Sequence, residues 1–431
     1  IMTMHKLTRS KVAAAVSLAL TQAAFAGSGP FFVPLTASEP VEPADAVDEL
    51  NSPWITPAGV TLSNLTSMDE IEDEISQSVG RVLPSEFPAA DTSRSTATMW
   101  DMLAFSPDGK HVYIPHESPV GAGVSRYDMD TDTTTLIFVG DKRGGGPDGV
   151  RGTNDDQWET DYGAFDPARY TPNGTVIAAE EWSGLGRVVE ICDPLDNPAD
   201  PRADQLTAGD CATGADYREL PIANVSHEGI NFSLKKSNEV IYFIDEDRSG
   251  SIYKMEFATP GDYAGGGTTY VLQADNYTGD VVPNWDDSDS GNSNPVVLAS
   301  RFGPATWIPL TDAAGDPLPG INPITGASVI NCNAGDAEDE CRDEDVRPGR
   351  VAADDAGGTP WGRPEDMAIG MLPNGNEILY TTVTSENAVI SIEILDDDNA
   401  VIRSFARNDG VPNGSNAGTP TNVGFAPTTA T

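Results

Sequence analysis

The chain has 431 residues, a formal net charge of -42 and 39% hydrophobic residues. So acidic a surface repels polyanions, which excludes nucleic acid and anionic membrane as natural partners. The apolar fraction supports a real core, and Gly 42 with Pro 33 point to many turns joining short strands.

The N-terminus has the layout of a secretory signal. Met4, Lys6, Arg9 and Lys11 precede an apolar run over residues 12–20, and Ala24-Phe25-Ala26 supplies small residues for cleavage after Ala26. That run is too short to span a bilayer, and no later stretch is longer and equally apolar. The reading is a signal peptide over 1–26 and a periplasmic or extracellular chain with no membrane span, expected as a monomer. Residues 27–95 form an N-terminal extension. Within it, Ser67-Met68-Asp69-Glu70 is a capping box, and Met68, Ile71, Ile75 and Val79 predict a short amphipathic helix closed by Gly80.

From about Thr96 one pattern recurs: an apolar strand, a Pro-x-Gly or Asn-Gly turn, a second strand and a polar hairpin. The copies centre on Phe105, Phe165, Phe232 and Ile369, with another beginning at Phe425. They are spaced by roughly 60 residues, with one interval about twice as long. A degenerate copy is expected in that interval, around Tyr270-Val271-Leu272 and Val296-Val297-Leu298. Repeats of this period predict an all-β, six-bladed β-propeller over 96–431, with its last blade truncated at the C-terminus. Asp130-Thr131-Asp132-Thr133-Thr134 matches a phosphatase pattern but joins two strands, so it reads as a hairpin turn. Acidic insertions at 144–161, 286–294 and 336–355 are oxygen-rich enough to be calcium loops, though they lack strict calcium-loop spacing.

The four cysteines fall into two local pairs in Asp/Pro/Gly-rich loops. The expected disulfides are Cys192–Cys211 and Cys332–Cys341, since zinc-type spacings are absent.

Charges at the strand ends carry the functional signal, because propeller strand ends converge on one channel. His116-Glu117 follows the first copy and Glu180-Glu181 the second; His227-Glu228 opens the third, and Arg363-Pro364-Glu365-Asp366 opens the fourth. Carboxylates converging on one axis repel each other unless cations bind among them. Arg363 adds a two-pronged donor for phosphate or carboxylate. The plain alternative for Arg363 and Glu365 is a salt bridge in a turn.

At these segments, together with Gly174 to Trp182 and Ile241 to Lys254, the chain resembles the PhoX-type alkaline phosphatases, secreted bacterial propellers. The resemblance implies a six-bladed fold and a site where calcium and iron hydrolyse small phosphate monoesters. It implies metal-ligating roles for Glu228 and Glu365, a phosphate-binding role for Arg363, and a metal-binding acidic pair in Glu180 and Glu181. It adds Asn422, within Pro420-Thr421-Asn422, as a metal ligand. His116, Glu117, His227 and Asp366 are additional candidates. Two family positions differ: Ala179 replaces an iron-ligating cysteine, and Thr421 replaces an aspartate. Calcium is therefore the expected cofactor, with iron second. Two alternatives accompany the phosphatase: a non-catalytic, calcium-stabilised binding propeller, and an esterase or lactonase on a calcium propeller.

Overall fold

The computed structural model describes residues 65–66, 100–118, 120–141, 143, 158–182, 184–246, 248–278, 299–325, 348–386 and 388–407. The signal segment, the helix expected after Ser67, Cys332–Cys341, Asn422 and Phe425 lie outside them.

Four antiparallel blades follow in chain order. The first holds β1 (Ala104–Phe105), β2 (His111–Pro115), β3 (Gly123–Asp128) and β4 (Thr133–Val139). The second holds β5 (Phe165–Tyr170), β6 (Val176–Glu180), β7 (Val188–Ile191) and β8 (Tyr217–Leu220). The third is built from β9 (His227–Phe232) and β10 (Val240–Asp245) and, after the short β11 (Arg248–Gly250), β12 (Ile252–Phe257) and β13 (Gly267–Ala274). After β14 (Gly303–Pro309), helix α1 (Pro348–Asp355) and β15 (Trp361–Gly362), the fourth holds β16 (Pro364–Met371), β17 (Glu377–Val383), β18 (Ala388–Ile394) and β19 (Asn399–Arg407). The first strands lie side by side, β5 beside β1 and β9, and β9 beside β16. The protein is a β-propeller. Of the six blades expected, four lie among the described residues.

Side-chain alternation builds the cores between blades. On β10, Ile241 and Phe243 face the second blade, where they pack with Ile177 and Val188, alongside Tyr253 of their own blade. Tyr242 and Ile244 face the fourth, packing with Trp307, Trp361, Leu379 and Ile392. Both faces are buried, so the strand reads as a continuous apolar run. A third core, with Tyr113, Phe138, Tyr162 and Phe165, lies between blades one and two.

Three expectations need correction. Tyr270-Val271-Leu272 does not open a degenerate copy: it lies in β13, the outer strand of the third blade. An outer strand buried on both sides carries the same apolar run as an inner one. The repeat register also differs. Phe105, Phe165, Phe232 and Ile369 all lie on first strands, but the residues that directly precede the turns are Phe105, Tyr170, Phe232 and Met371, paired with Val112, Val176, Ile241 and Glu377. Finally, the described end of the acidic insertion 336–355 is helix α1, whose Ala352 and Ala353 enter the core between blades two and three. Asp130 to Thr134 does span the β3–β4 hairpin, and Cys192 is bridged to Cys211.

Candidate metal centre

Each blade's first hairpin runs from the channel mouth to a turn and back. It therefore returns two strand ends to the same place. Asp101 precedes β1 and Glu117 follows β2; Asp166 sits in β5 and Glu181 follows β6; Glu228 sits in β9 and Glu246 follows β10. These six carboxylates converge as three overlapping triads: Asp101, Asp166 and Glu228; Glu117, Asp166 and Glu181; Glu181, Glu228 and Glu246. Within each triad the ligand oxygens lie within 4.8 Å of one another. Asp166, Glu181 and Glu228 each belong to two triads.

Local backbone features aim these groups. The ladders β5–β6, β9–β10 and β16–β17 all shift register at the mouth, at Phe165/Ala168, Phe243/Asp245 and Glu365/Met367. Such bulges re-aim side chains next to functional sites. Met102, Ala164, Arg363 and Asp366 take positive φ, four of the six described non-glycine residues that do. Strain of this kind gathers where the surrounding structure over-determines a site. At Gly229, a Cβ would sit 2.8 Å from Cβ of Met367 and 2.9 Å from its backbone nitrogen, so glycine permits β9 to approach β16.

Electrostatics mark the cluster as incomplete without positive charge. Burial, then the neighbouring carboxylates, push Asp166 to about 9, Glu181 to about 10 and Glu228 to about 11. Burial also raises Glu117, and burial with Asp101 and Glu365 raises Asp366 to about 6. Oδ1 of Asp166 and Oε2 of Glu228 are buried without a hydrogen-bond partner, in residues only 3% and 8% exposed. Buried carboxylate oxygens of this kind suit a hard cation such as calcium, which takes oxygen ligands only.

The sequence candidates divide. Glu117, Glu181 and Glu228 enter the triads. Glu365 stands at the rim, where the Thr384 hydroxyl donates to Oε2 and an Arg363 nitrogen lies 3.3 Å from Oε1. The turn salt bridge expected as the plain alternative thus exists, but Arg363 pairs with Glu246 as well. Asp366 lies at the β16–β17 bulge, electrostatically coupled to Asp101 and Glu365. Glu180 is not brought to the cluster. As neighbour to Glu181 it points the other way, and it is fully buried against Arg187 (2.8 Å) and the Gly163 amide (2.8 Å). His116 and His227 are likewise one residue out of phase. His116 meets the Ser125 hydroxyl at 2.8 Å, and His227 packs against Phe243. Burial lowers the two imidazoles to about 3 and about 4.

Asp101, Asp166 and Glu246 escaped the sequence reading. The available signal was reflection through each turn, which maps Glu117 near Asp101, Glu181 near Asp166, Glu228 near Glu246 and Glu365 near Thr384. Ala179 lies two residues before Glu181, buried in the apolar core between blades two and three.

No family model and no curated protein matches the chain. Solved structures do align with it. PhoX of Pseudomonas fluorescens, in complex with the transition state analogue vanadate, aligns at 15% identity and TM-score 0.39 over 73% of this chain and 68% of that one. TolB of Acinetobacter baumannii aligns at 11% identity and TM-score 0.29, over 70% and 43%. The periplasmic gluconolactonase PpgL of Pseudomonas aeruginosa aligns at 11% and 0.28, over 74% and 77%. At these scores no residue-level correspondence follows. No helix among the described residues is long and apolar enough to cross a membrane.

Proposed function

We propose that the chain is a metal-dependent hydrolase of small phosphate monoesters, acting in the periplasm or outside the cell. The supporting observation is the convergence of six carboxylates, two with unpartnered buried oxygens, directly beside Arg363. Asp101, Glu117, Asp166, Glu181, Glu228 and Glu246 would hold calcium, and their all-oxygen set leaves iron second. Bound cations would supply Lewis acidity and a water of lowered pKa. The chain's own residues supply the rest. Without cations, the carboxylates would repel a phosphate dianion. Arg363 would clamp two phosphoryl oxygens with its planar fork, and Glu365, held by Thr384, would fix the approach of that fork. The oxidising compartment agrees with the Cys192–Cys211 bridge.

The test combines metal analysis of the purified protein with hydrolysis of p-nitrophenyl phosphate in calcium. Arg363→Ala should keep its calcium and lose about 10²–10³ in kcat/KM. A protein that binds no cation refutes the proposal. Calcium binding without hydrolysis leaves the second reading, a calcium-stabilised binding propeller. The observation favouring that reading is Ala179, an apolar core residue where the resembling family has its cysteine.

A further inference from the structure

The proposed chemistry needs Arg363 to face an oxyanion, yet its guanidinium is engaged. Two of its nitrogens donate to Oε1 of Glu246, and Nη2 lies 3.3 Å from Oε1 of Glu365. Glu365 is anchored on its far side by the Thr384 hydroxyl, and its carbonyl accepts from Thr382 at 2.9 Å. Glu246 has a second affiliation. It belongs to the triad with Glu181 and Glu228, whose oxygens lie within 4.8 Å. Glu228, a member of that triad, points to a ligand in the cluster, because its Oε2 is buried without a partner. Meanwhile the Arg363 side chain is 43% exposed, whereas that of Glu246 is 8% exposed. The arginine can therefore swing into solvent, and a cation entering the triad would compete with it for the charge of the buried glutamate.

The geometry points to Glu246 as a two-position latch. It holds Arg363 while the Glu181–Glu228–Glu246 pocket lacks a cation, and releases the guanidinium to an oxyanion when a divalent cation enters. The latch presupposes the cation and oxyanion sites proposed above. It adds that the two ligands bind in positive cooperation, with the free protein holding its phosphate-binding arginine in reserve. A phosphate ester then meets a competent arginine only where the cation is already in place.

Isothermal titration of the full chain with calcium chloride and with inorganic phosphate, below the precipitation limit, tests it. Saturating calcium should tighten phosphate binding by about 5- to 150-fold, and phosphate should tighten calcium binding by the same factor. Direct attraction between the two ions would also give coupling, so the variants decide. Calcium-free Glu246→Gln should bind phosphate several-fold more tightly than calcium-free wild type. Asp166→Asn, which removes an equal charge from the cluster without touching Arg363, should not. Arg363→Ala removes the competitor for Glu246 and should bind calcium several-fold more tightly than wild type; this arm holds even if Glu246→Gln fails to fold. Absence of calcium binding in every protein would refute the underlying cation site. Calcium binding with equal phosphate gains in Glu246→Gln and Asp166→Asn, or with unchanged or weaker calcium affinity in Arg363→Ala, would overturn the latch alone.

Discussion

Asp166, Glu181 and Glu228 hold the centre of the cluster, and their pKa values, about 9, 10 and 11, make the cluster a liability in the metal-free protein. Each is raised above its unfolded value near 4, so between these limits the native state binds more protons than the unfolded chain. Their stabilising contribution is present below about pH 4 and is lost as pH rises through 9–11. In chelator, the unfolding midpoint should fall steadily as pH rises from 5 to 9, and calcium should flatten the slope. Glu228→Gln should flatten it too, without calcium, in urea melts at stepped pH. A slope unchanged by both would mean these carboxylates are solvated. Sequence alone made Glu117, Glu181 and Glu228 visible because each sits beside a histidine or a second glutamate at a strand end. Asp101, Asp166 and Glu246 carried no such flag. A carboxylate at a bulge or just past a strand looks like any solvated loop acid until the hairpin is folded.

Elements were legible wherever a turn punctuated them. Ser106 to Gly109, Thr171 to Gly174 and Leu372 to Gly375 each end in a glycine of positive φ, so the sequence marks the first hairpin of three blades. The third blade lacks such a turn: Ser233 to Glu239 closes it, with Glu377 of the fourth blade accepting from Ser233 and the Lys235 amide at 2.9 Å. Side-chain support from another blade cannot be read from local sequence. The ladder shifts that aim the site were invisible for the same reason, since a bulge depends on the partner strand. Two substitutions test how firmly β9 and β10 are seated. Gly229→Ala places a methyl group against Met367 and Ile244 and should cost about 1–3 kcal/mol. Phe243→Ala empties a buried site stacked on Tyr253 at 5.0 Å and should cost about 3–5 kcal/mol. Both are measured by urea denaturation with calcium present. A loss in Gly229→Ala without a fall in calcium affinity would show that the β9–β16 approach supports the fold but not the site.

On the scale of the whole molecule, the charge of -42 works against compactness. Raising sodium chloride to about 1 M shortens the screening length to about 3 Å and should raise the melting temperature of the calcium-free protein. The Cys192–Cys211 bridge spans 19 residues between β7 and β8. Replacing both cysteines by serine should cost about 3 kcal/mol, seen as a lower urea midpoint under oxidising conditions. Strand β14 has a different kind of importance. Its backbone is bonded to β13 on one side and β19 on the other, so the outermost strands of the third and fourth blades belong to one nine-stranded sheet. Elsewhere, β4 is bridged at Val139 by Arg202, and β8 at Tyr217 by Ala208. On the described rim, β13 and β19 therefore offer no vacant amide and carbonyl row along their residues paired with β14, whereas β4 and β8 are each met at a single residue. A protein built from short apolar strands is an obvious candidate for edge-to-edge aggregation. This one closes the outer edges of two blades with its own backbone, so charge repulsion is not its only guard against edge pairing. It should stay dispersed when calcium and salt have quenched that repulsion.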